Sequence, residues 1–148
     1  MSKYPSWWDS TITIYNKYTD NATQVVKWYR HTVYNQCFWK NVGSKVNIGE
    51  VVLDTESITC RIPEQPDFLQ AYDWVNLPND QKSLKFTLQP DDIVVNGEVE
   101  DDIDEYTSGK RATDLIKKYR LKGCITIRDV SVDTMTGMIT PHYTIRGL

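Results

Sequence analysis

Short stretches of alternating apolar and polar residues dominate the chain and predict mainly β structure. In residues 11–15 (TITIY), Ile12 and Ile14 alternate with polar neighbours, which is the pattern of a half-buried strand. Residues 24–42 are rich in β-branched and aromatic side chains and predict a long strand with a bulge near Asn35 and Gln36. Similar patterns predict further strands at 51–53, 58–62, 85–88, 93–95, 124–132 and 139–145.

Turn residues separate these predicted strands. In the corner formed by residues 85–99, we interpret Pro90, Asp91, Asn96 and Gly97 as turn-forming, and the Asn-Gly pair predicts a type I′ turn. A loop or short hairpin is expected at 43–49 and a turn at 54–57. A connection at 133–137 predicts a C-terminal hairpin, whose second strand contains Pro141 and is therefore expected at a sheet edge.

One segment has helical periodicity. Between residues 110 and 120 the apolar side chains recur at the spacing of one helix face, with Ser108 expected as the N-cap and Gly123 just beyond the end. Strands and helices do not alternate, so a parallel sheet is disfavoured. The predicted fold class is mainly β: a small antiparallel β-barrel or sandwich with one packed α-helix at about 110–120 and long loops.

Length and charge narrow the possibilities. The 148 residues predict a single domain spanning 1–148, with a short N-terminal arm at 1–10. The 17 basic and 20 acidic residues give a net charge of −3, too balanced for bulk attraction to nucleic acid or to an anionic membrane. No signal-peptide core and no run of about 18 apolar residues is present, so we expect a soluble chain without a membrane partner.

The residue types that carry chemistry form no recognisable catalytic or metal-binding motif. Cys37, Cys60 and Cys124 are widely spaced, which predicts buried structural thiols in a reducing compartment. His31 and His142 lie within predicted strands, and no nucleophile elbow, phosphate loop or EF-hand pattern is found. We therefore expect a protein that is not an enzyme, with no catalytic residue, no metal site and no cofactor.

Three segments are candidates for interaction. The run 98–105 (EVEDDIDE) predicts a solvated acidic loop, and a carbohydrate- or metal-handling role for it is a weaker alternative. Residues 64–81 form a long excursion of the kind that is usually functional. Basic and aromatic residues interleave in 27–31 and continue at Tyr34, Phe38, Trp39 and Lys40; this leaves open an OB-like module that binds single-stranded nucleic acid.

Four stretches together suggest a family: TITIY at 11–15, CFW at 37–39, LQPDDIVVNGE at 88–98 and HYTIRG at 142–147. The chain resembles small virion proteins of tailed bacteriophages, most nearly the head–tail connector or head-closure (stopper) group. The resemblance implies a non-enzymatic structural protein of the phage neck, a small β-barrel that assembles as a homo-oligomeric ring around the DNA channel between portal and tail. A tail-terminator protein or a minor capsid or tail protein is the alternative.

The resemblance also implies partners and sites. The partners would be copies of the chain itself, the portal or adaptor and tail proteins, and double-stranded DNA that passes without sequence-specific binding. The chain would be found in the virion neck, and in the host cytoplasm before assembly. The channel-loop candidates are Glu98, Glu100, Asp101, Asp102, Asp104 and Glu105, and the subunit-interface candidates are Trp7, Trp8, Phe68, Tyr72 and Trp74.

Overall fold

The computed structural model describes residues 6–48, 51–133 and 142–147. These residues form six strands and two short helices. The strands are β1 (Ser10–Thr19), β2 (Val26–Ile48), β3 (Val51–Pro63), β4 (Ile93–Asn96), β5 (Cys124–Asp133) and β6 (His142–Gly147). The helices are α1 (Ala71–Val75) and α2 (Ala112–Tyr119).

The six strands close into an antiparallel barrel in the order β1-β2-β3-β6-β5-β4. The predicted fold class, a mainly antiparallel β fold with one packed helix near 110–120, is confirmed, and that helix is α2. In this order β1 and β4 form one wall of the barrel, and β3 and β6 form the wall opposite. Strands β2 and β5 contribute to both walls.

The inside of the barrel is filled by apolar side chains. Strand alternation directs Ile12 and Ile14 of β1 inward, where both are fully buried. Each such side chain stabilises the fold by roughly 1.5–3 kcal/mol relative to exposure. The other buried members of this cluster are Val33, Cys37, Cys60, Ile62, Phe86, Leu88, Val94, Ile125, Ile127, Tyr143 and Ile145.

A second apolar layer covers the outside of the β1–β4 wall. Val94 points into the barrel while Ile93 and Val95 point outward, yet all three are buried. A strand that is buried on both faces has consecutive apolar residues, which explains the Ile-Val-Val sequence of β4. The cover consists of residues 98–105 and helix α2, and the buried members of the outer cluster are Tyr15, Ile93, Val95, Val99, Ile103, Leu115 and Cys124.

Residues 64–88 close one end of the barrel, which corrects the predicted strand at 85–88. Phe86 and Leu88 are buried in the interior, but among the described residues the segment joins a ladder only through an isolated parallel bridge between Phe68 and Phe86. The Leu69 amide donates to the Phe86 carbonyl oxygen at 2.9 Å. The two side chains that looked like one face of a strand are therefore part of a plug, residues 64–88, that enters one end of the barrel.

The predicted reversals were partly right. The bulge is confirmed, because the β1–β2 register moves from Ser10↔Cys37 to Ile12↔Val33 and Asn35 has φ +54°. The expected turn at 54–57 is wrong, because β3 runs through these residues. Of the loop or short hairpin expected at 43–49, the loop is wrong for residues 43–48, which belong to β2 and pair with β3 as one arm of a long antiparallel hairpin. In these residues the pairing between the two strands outweighs the local preference for a turn.

The corner at residues 90–97 also differs from expectation. Pro90 and Asp91 do lie in a turn, and Asp91 has φ +76°. Asn96 and Gly97 do not form a type I′ turn, because only Gly97 has a positive φ (+124°). Asn96 ends β4, and the Gly97 amide donates to the Thr11 carbonyl oxygen at 2.7 Å. Gly97 thus turns the chain out of the barrel instead of folding it back on β4.

Two further expectations fail at element ends. The N-cap of α2 is Arg111, not Ser108, and the Arg111 amide donates to the Asp114 carboxylate at 3.1 Å. Strand β6 pairs with both β3 and β5, so it is not an edge strand. Pro141 and the predicted connection after residue 133 lie outside the described residues.

Candidate functional site

The acidic segment, residues 98–105, lies along the outer face of β2. It runs antiparallel to that strand, and its side chains contact alternate β2 residues in order. This spacing follows from strand geometry, which places every second side chain on the same face. The contacts are Tyr34 Oη to Glu98 Oε1 (3.0 Å), Arg30 to Asp102 Oδ1 (3.3 Å) and Trp28 Nε1 to Glu105 Oε1 (3.1 Å), and the Arg30 guanidinium also donates to the Glu100 carbonyl oxygen.

Asp101 joins the acidic segment to helix α2. Its carboxylate accepts hydrogen bonds from Lys118 Nζ at 2.6 Å and Tyr119 Oη at 2.7 Å, and these donors lower the pKa of the Asp101 carboxyl. Its carbonyl oxygen accepts a 2.6 Å hydrogen bond from Tyr15 Oη. Burial raises the pKa of that tyrosine well above its ordinary value, so the hydroxyl stays a donor.

The expectation of a solvated acidic loop is therefore wrong for half of the segment. Val99 and Ile103 are buried in the outer apolar cluster, and Asp101 and Glu105 are held by hydrogen bonds. Glu98, Glu100, Asp102 and Asp104 remain exposed, and the Asp102 side chain keeps 82% of its accessible surface. The segment is a fixed structural element that leaves four carboxylates exposed, of which the Asp104 carboxylate also accepts hydrogen bonds from the Tyr106 amide and Thr107 Oγ1. Its role in a channel stays a prediction.

A cleft of about 390 Å³ separates the acidic segment from the start of α2. Its walls carry both signs of charge, with Glu100 and Asp102 on one side and Lys110, Arg111 and Lys118 on the other. Neither histidine lines it. Within the described ranges, no group of three or more His, Cys, Asp or Glu side chains is placed to hold a metal ion.

The five interface candidates divide into exposed and buried residues. Trp7 and Tyr72 are 65% and 78% exposed and are available for contact. Trp8 stacks on Phe38 with ring centroids 6.2 Å apart. Phe68 is partly buried and stacks on Tyr143 at 4.1 Å, and its interface role stays a prediction. Trp74 is fully buried in the plug of the barrel, so its side chain offers no surface to a neighbouring subunit.

A buried lysine beside Trp74 was not found from the sequence. Lys82 is 1% exposed, and its Nζ lies 4.4 Å from the Tyr18 ring centroid and 5.8 Å from the Trp74 ring centroid. The ammonium group donates to the Leu77 carbonyl oxygen and to Asn79 Oδ1. Burial lowers the pKa of Lys82. The Lys82 ammonium group, between two aromatic rings and a carbonyl oxygen, therefore stabilises the packing of the plug (residues 64–88) on the end of the barrel.

A buried carboxyl group at the Pro90 corner was also missed. Asp92 is fully buried and accepts hydrogen bonds from the Lys17 amide at 2.9 Å and from Asn16 Nδ2 at 2.8 Å. The same Asn16 side chain bonds both backbone groups of Thr87. Burial nevertheless raises the pKa of Asp92 to about 7. The Pro-Asp-Asp sequence predicted only a turn. Asp92, its last residue, also connects β1 and the plug to the start of β4.

The thiols and the strand histidine belong to the core. Cys37, Cys60 and Cys124 are free and buried, and burial raises the pKa of Cys37 to about 12 and that of Cys124 to about 11. His31 stacks on Phe86 with ring centroids 4.8 Å apart, and burial lowers its pKa. These groups are poorly suited to act as nucleophile or general base.

The aromatic strand does not present an open row of rings. Trp28 packs against the outer apolar cluster beneath the acidic segment, and Trp39 packs against the barrel interior. Tyr29 meets Trp74 edge to face at 5.7 Å. A surface that stacks bases needs exposed ring faces, and among these residues Tyr34 alone is highly exposed, at 51%.

Strands β2 and β3 continue beyond the barrel as a two-stranded ribbon. Strand β1 pairs with β2 only as far as Cys37, and β6 pairs with β3 only from Ile58 onward. Between Val42↔Ser57 and Ile48↔Val51 the two strands pair with each other and with no other described strand. At about 3.3 Å per residue the ribbon is roughly 20 Å long. Its two outer backbone edges are unpaired within the described part of the chain.

Comparison with known proteins gives one match. No curated protein and no solved structure matches the chain. Within the described residues, no helix is long and apolar enough to cross a membrane. One family model matches residues 7–148, nearly the whole sequence, and the chain therefore belongs to the family of unknown function DUF6751.

Proposed function

We propose that this chain is a non-enzymatic structural protein of a phage neck, a head–tail connector or stopper that assembles as a homo-oligomeric ring. The observation that carries the proposal is the projecting β2–β3 ribbon. An isolated two-stranded ribbon is at best marginally stable in water. When such a ribbon extends from an otherwise closed barrel, its unpaired strand edges can be stabilised by pairing with another chain.

The unpaired edges of the ribbon supply the means of assembly. Each edge offers a row of backbone N–H and C=O groups that can add to a neighbouring sheet. The register pairs Val46 with Leu53 and Ile48 with Val51, so apolar residues of the sequence stand opposite each other near the end of the ribbon. Docking of this ribbon on an adjacent copy would satisfy the backbone edges and link subunits.

The filled barrel constrains where DNA would pass. Thirteen buried core residues occupy the interior of one protomer. A DNA channel would therefore lie between copies, at the centre of the ring. The exposed carboxylates Glu98, Glu100, Asp102 and Asp104 would repel phosphates if they faced that channel, which would let DNA move without sticking. A tail-terminator protein would need the same features, so this alternative rests on the same ribbon.

The test begins with the purified chain, by mass photometry and negative-stain electron microscopy. We expect closed rings of one size. A shortened variant, in which residues 44–55 are replaced by Asn-Gly, should leave Gly43 and Glu56 joined by a tight hairpin turn. It should melt at a similar temperature and remain monomeric. Lys45→Ala serves as the control, because it leaves both backbone edges of the ribbon intact.

The virion supplies the second half of the test. Mass spectrometry of purified particles of the encoding phage should find the chain in a fixed number of copies. A chain that stays monomeric at its highest soluble concentration and is absent from particles would rule the proposal out. If the purified chain forms rings but is absent from the particles, the ring assembly stands and the location in the phage neck is wrong.

A further inference from the structure

The wall of the barrel opposite the acidic segment carries exposed positive charge. We name it the basic wall and define it by Lys40 of β2, Arg61 of β3, Arg128 of β5 and Arg146 of β6. All four side chains are exposed, and none forms an ion pair with another residue in the described part of the chain. Arg61 lies over the Phe38 ring at 5.8 Å from its centroid. That contact orients the guanidinium before any partner arrives.

Strand register places the arginines of β3 and β6 on the outer surface. Arg61 lies between the buried residues Cys60 and Ile62, and Arg146 follows the buried Ile145. Alternation along a strand therefore points both arginines away from the core. The ladder sets Arg61 opposite Thr144 and Arg146 opposite Thr59, so the two cations are diagonal neighbours. Diagonal neighbours in a sheet are roughly 7–8 Å apart, with their β-carbons somewhat closer. One acid, Asp129, faces Arg146 in the register without pairing with it.

The acidic segment lies on the other side of the barrel. It covers β2 and β1 next to β4, whereas the basic wall is built mainly on β3 and β6. Exposed aromatic rings accompany the acidic side: Tyr34 bonds Glu98, and Tyr106 is 64% exposed. Arginine and tyrosine are the residue types that interface centres favour.

We infer that the basic wall of one copy binds the acidic segment of the next copy. Because the two surfaces differ and lie on opposite sides of the protomer, the contact is heterologous: each copy uses one surface toward each neighbour. Repetition of such a contact makes a ring when the rotation closes. This inference rests on the proposed function and adds to it the surfaces that determine which faces of the subunits meet. In this contact the carboxylates of the acidic segment face the neighbouring copy and not the DNA channel.

The test is a charge exchange measured by analytical ultracentrifugation at low and high salt. Arg61→Glu with Arg146→Glu should weaken self-association at least about tenfold, since like charges then meet. Glu98→Lys with Glu100→Lys should do the same. Neither pair removes a buried group, so both variants should keep the melting profile of the parent chain. A mixture of the two variants should associate again, because one now carries two acidic surfaces and the other two basic surfaces.

Matched controls change the same charge elsewhere. Lys27→Glu with Arg120→Glu matches the first variant, and Asp73→Lys with Asp80→Lys matches the second; all four residues are exposed and outside both surfaces. The controls should associate like the parent chain. Added salt should weaken the parent assembly, because exposed charge pairs are screened.

The outcomes separate this inference from the proposed function. If the parent chain forms rings that neither charge variant affects, the inference is wrong and the ring proposal stands. If the parent chain is monomeric under all conditions, the ring proposal is wrong, and this inference, which rests on it, is wrong as well. If Arg61→Glu with Arg146→Glu abolishes binding to a duplex DNA probe but leaves the assembly unchanged, the basic wall serves nucleic acid and the inference is overturned.

Discussion

The buried carboxyl group of Asp92 makes the stability of the fold depend on pH in an unusual direction. Its pKa is raised from 3.8 to about 7 because burial disfavours the charged form, in spite of hydrogen bonds from Lys17, Asn16 and Gln89. In the unfolded chain the same group would titrate near its ordinary value. Between pH 4 and pH 7 the folded state therefore holds more protons than the unfolded state, and the free energy of unfolding falls as pH rises.

The magnitude follows from the same values. At about 1.4 kcal/mol per pH unit, the change from 3.8 to about 7 makes the fold about 4 kcal/mol less stable at pH 8 than at pH 3 through this one group. The stabilisation is fully present below about pH 4 and is lost as pH rises through about 7. It is a large part of the 5–15 kcal/mol that holds a typical domain together.

Asp92→Asn isolates the effect, because asparagine has a similar size and does not ionise. Urea unfolding of both chains, followed by tryptophan fluorescence at each pH from 4 to 8, gives two curves of unfolding free energy. We expect the parent curve to fall relative to the variant curve by several kcal/mol across this range. His31 titrates in both chains, with a pKa lowered by burial, so its opposite contribution cancels in the difference.

A difference between the two curves that stays constant within about 0.5 kcal/mol would refute the reasoning, since that is the scatter expected of an ordinary surface change. It would mean that the hydrogen bonds from Lys17 and Asn16 fully offset the cost of burial. A direct check is the carbon-13 chemical shift of the Asp92 carboxyl group, which should titrate near pH 7.

Three further substitutions test the contacts described above by thermal or urea unfolding. Asp101→Ala should destabilise the fold by about 1 kcal/mol or more because it removes two charge-assisted hydrogen bonds. The control Glu100→Ala, at an exposed side chain, should change the free energy of unfolding by less than about 0.5 kcal/mol. Equal effects of the two substitutions would contradict this prediction. Gly97→Val should cost about 1–3 kcal/mol, because φ +124° is a region that β-branched residues avoid, and an unchanged melting temperature would refute it. Lys82→Met should cost about 1–3 kcal/mol by leaving the Leu77 carbonyl oxygen without its donor, and a more stable variant would show that desolvation of the ammonium group dominates.

Local patterns predicted the first half of β1 and helix α2. The alternation of TITIY found residues 11–15 of β1, although residues 12–16 are buried on both faces of the strand, and α2 has its apolar residues at helical spacing. The bulge at Asn35 was also predictable, because the inward set of β2 residues changes phase there. In each case the signal lies within a few residues of the feature that it specifies.

The failures share a different cause. Phe86 and Leu88 alternate like strand residues, but burial inside a barrel requires only that apolar side chains reach the core, whatever their backbone pairing. Trp74 was expected at an interface because it lies in the long excursion at residues 64–81. Its burial depends on Tyr29, which is distant in sequence, and on Lys82, whose residue type does not suggest burial. The acidic segment likewise looked solvated because its partners on β2 lie about 70 residues earlier.

The pairing of β3 with β6 has a consequence for how the chain folds during synthesis. Ile62 pairs with Tyr143, so the edge of β3 must wait for roughly 80 residues to be translated, about 4–16 s at ordinary ribosome speeds. During that interval the β1-β2-β3 meander exposes a bare edge on a nascent chain. Contacts so far apart in sequence also slow the closing step itself. Nascent copies on one polysome could add strands to one another in that time, so the yield of closed barrels should depend on how densely the message is translated.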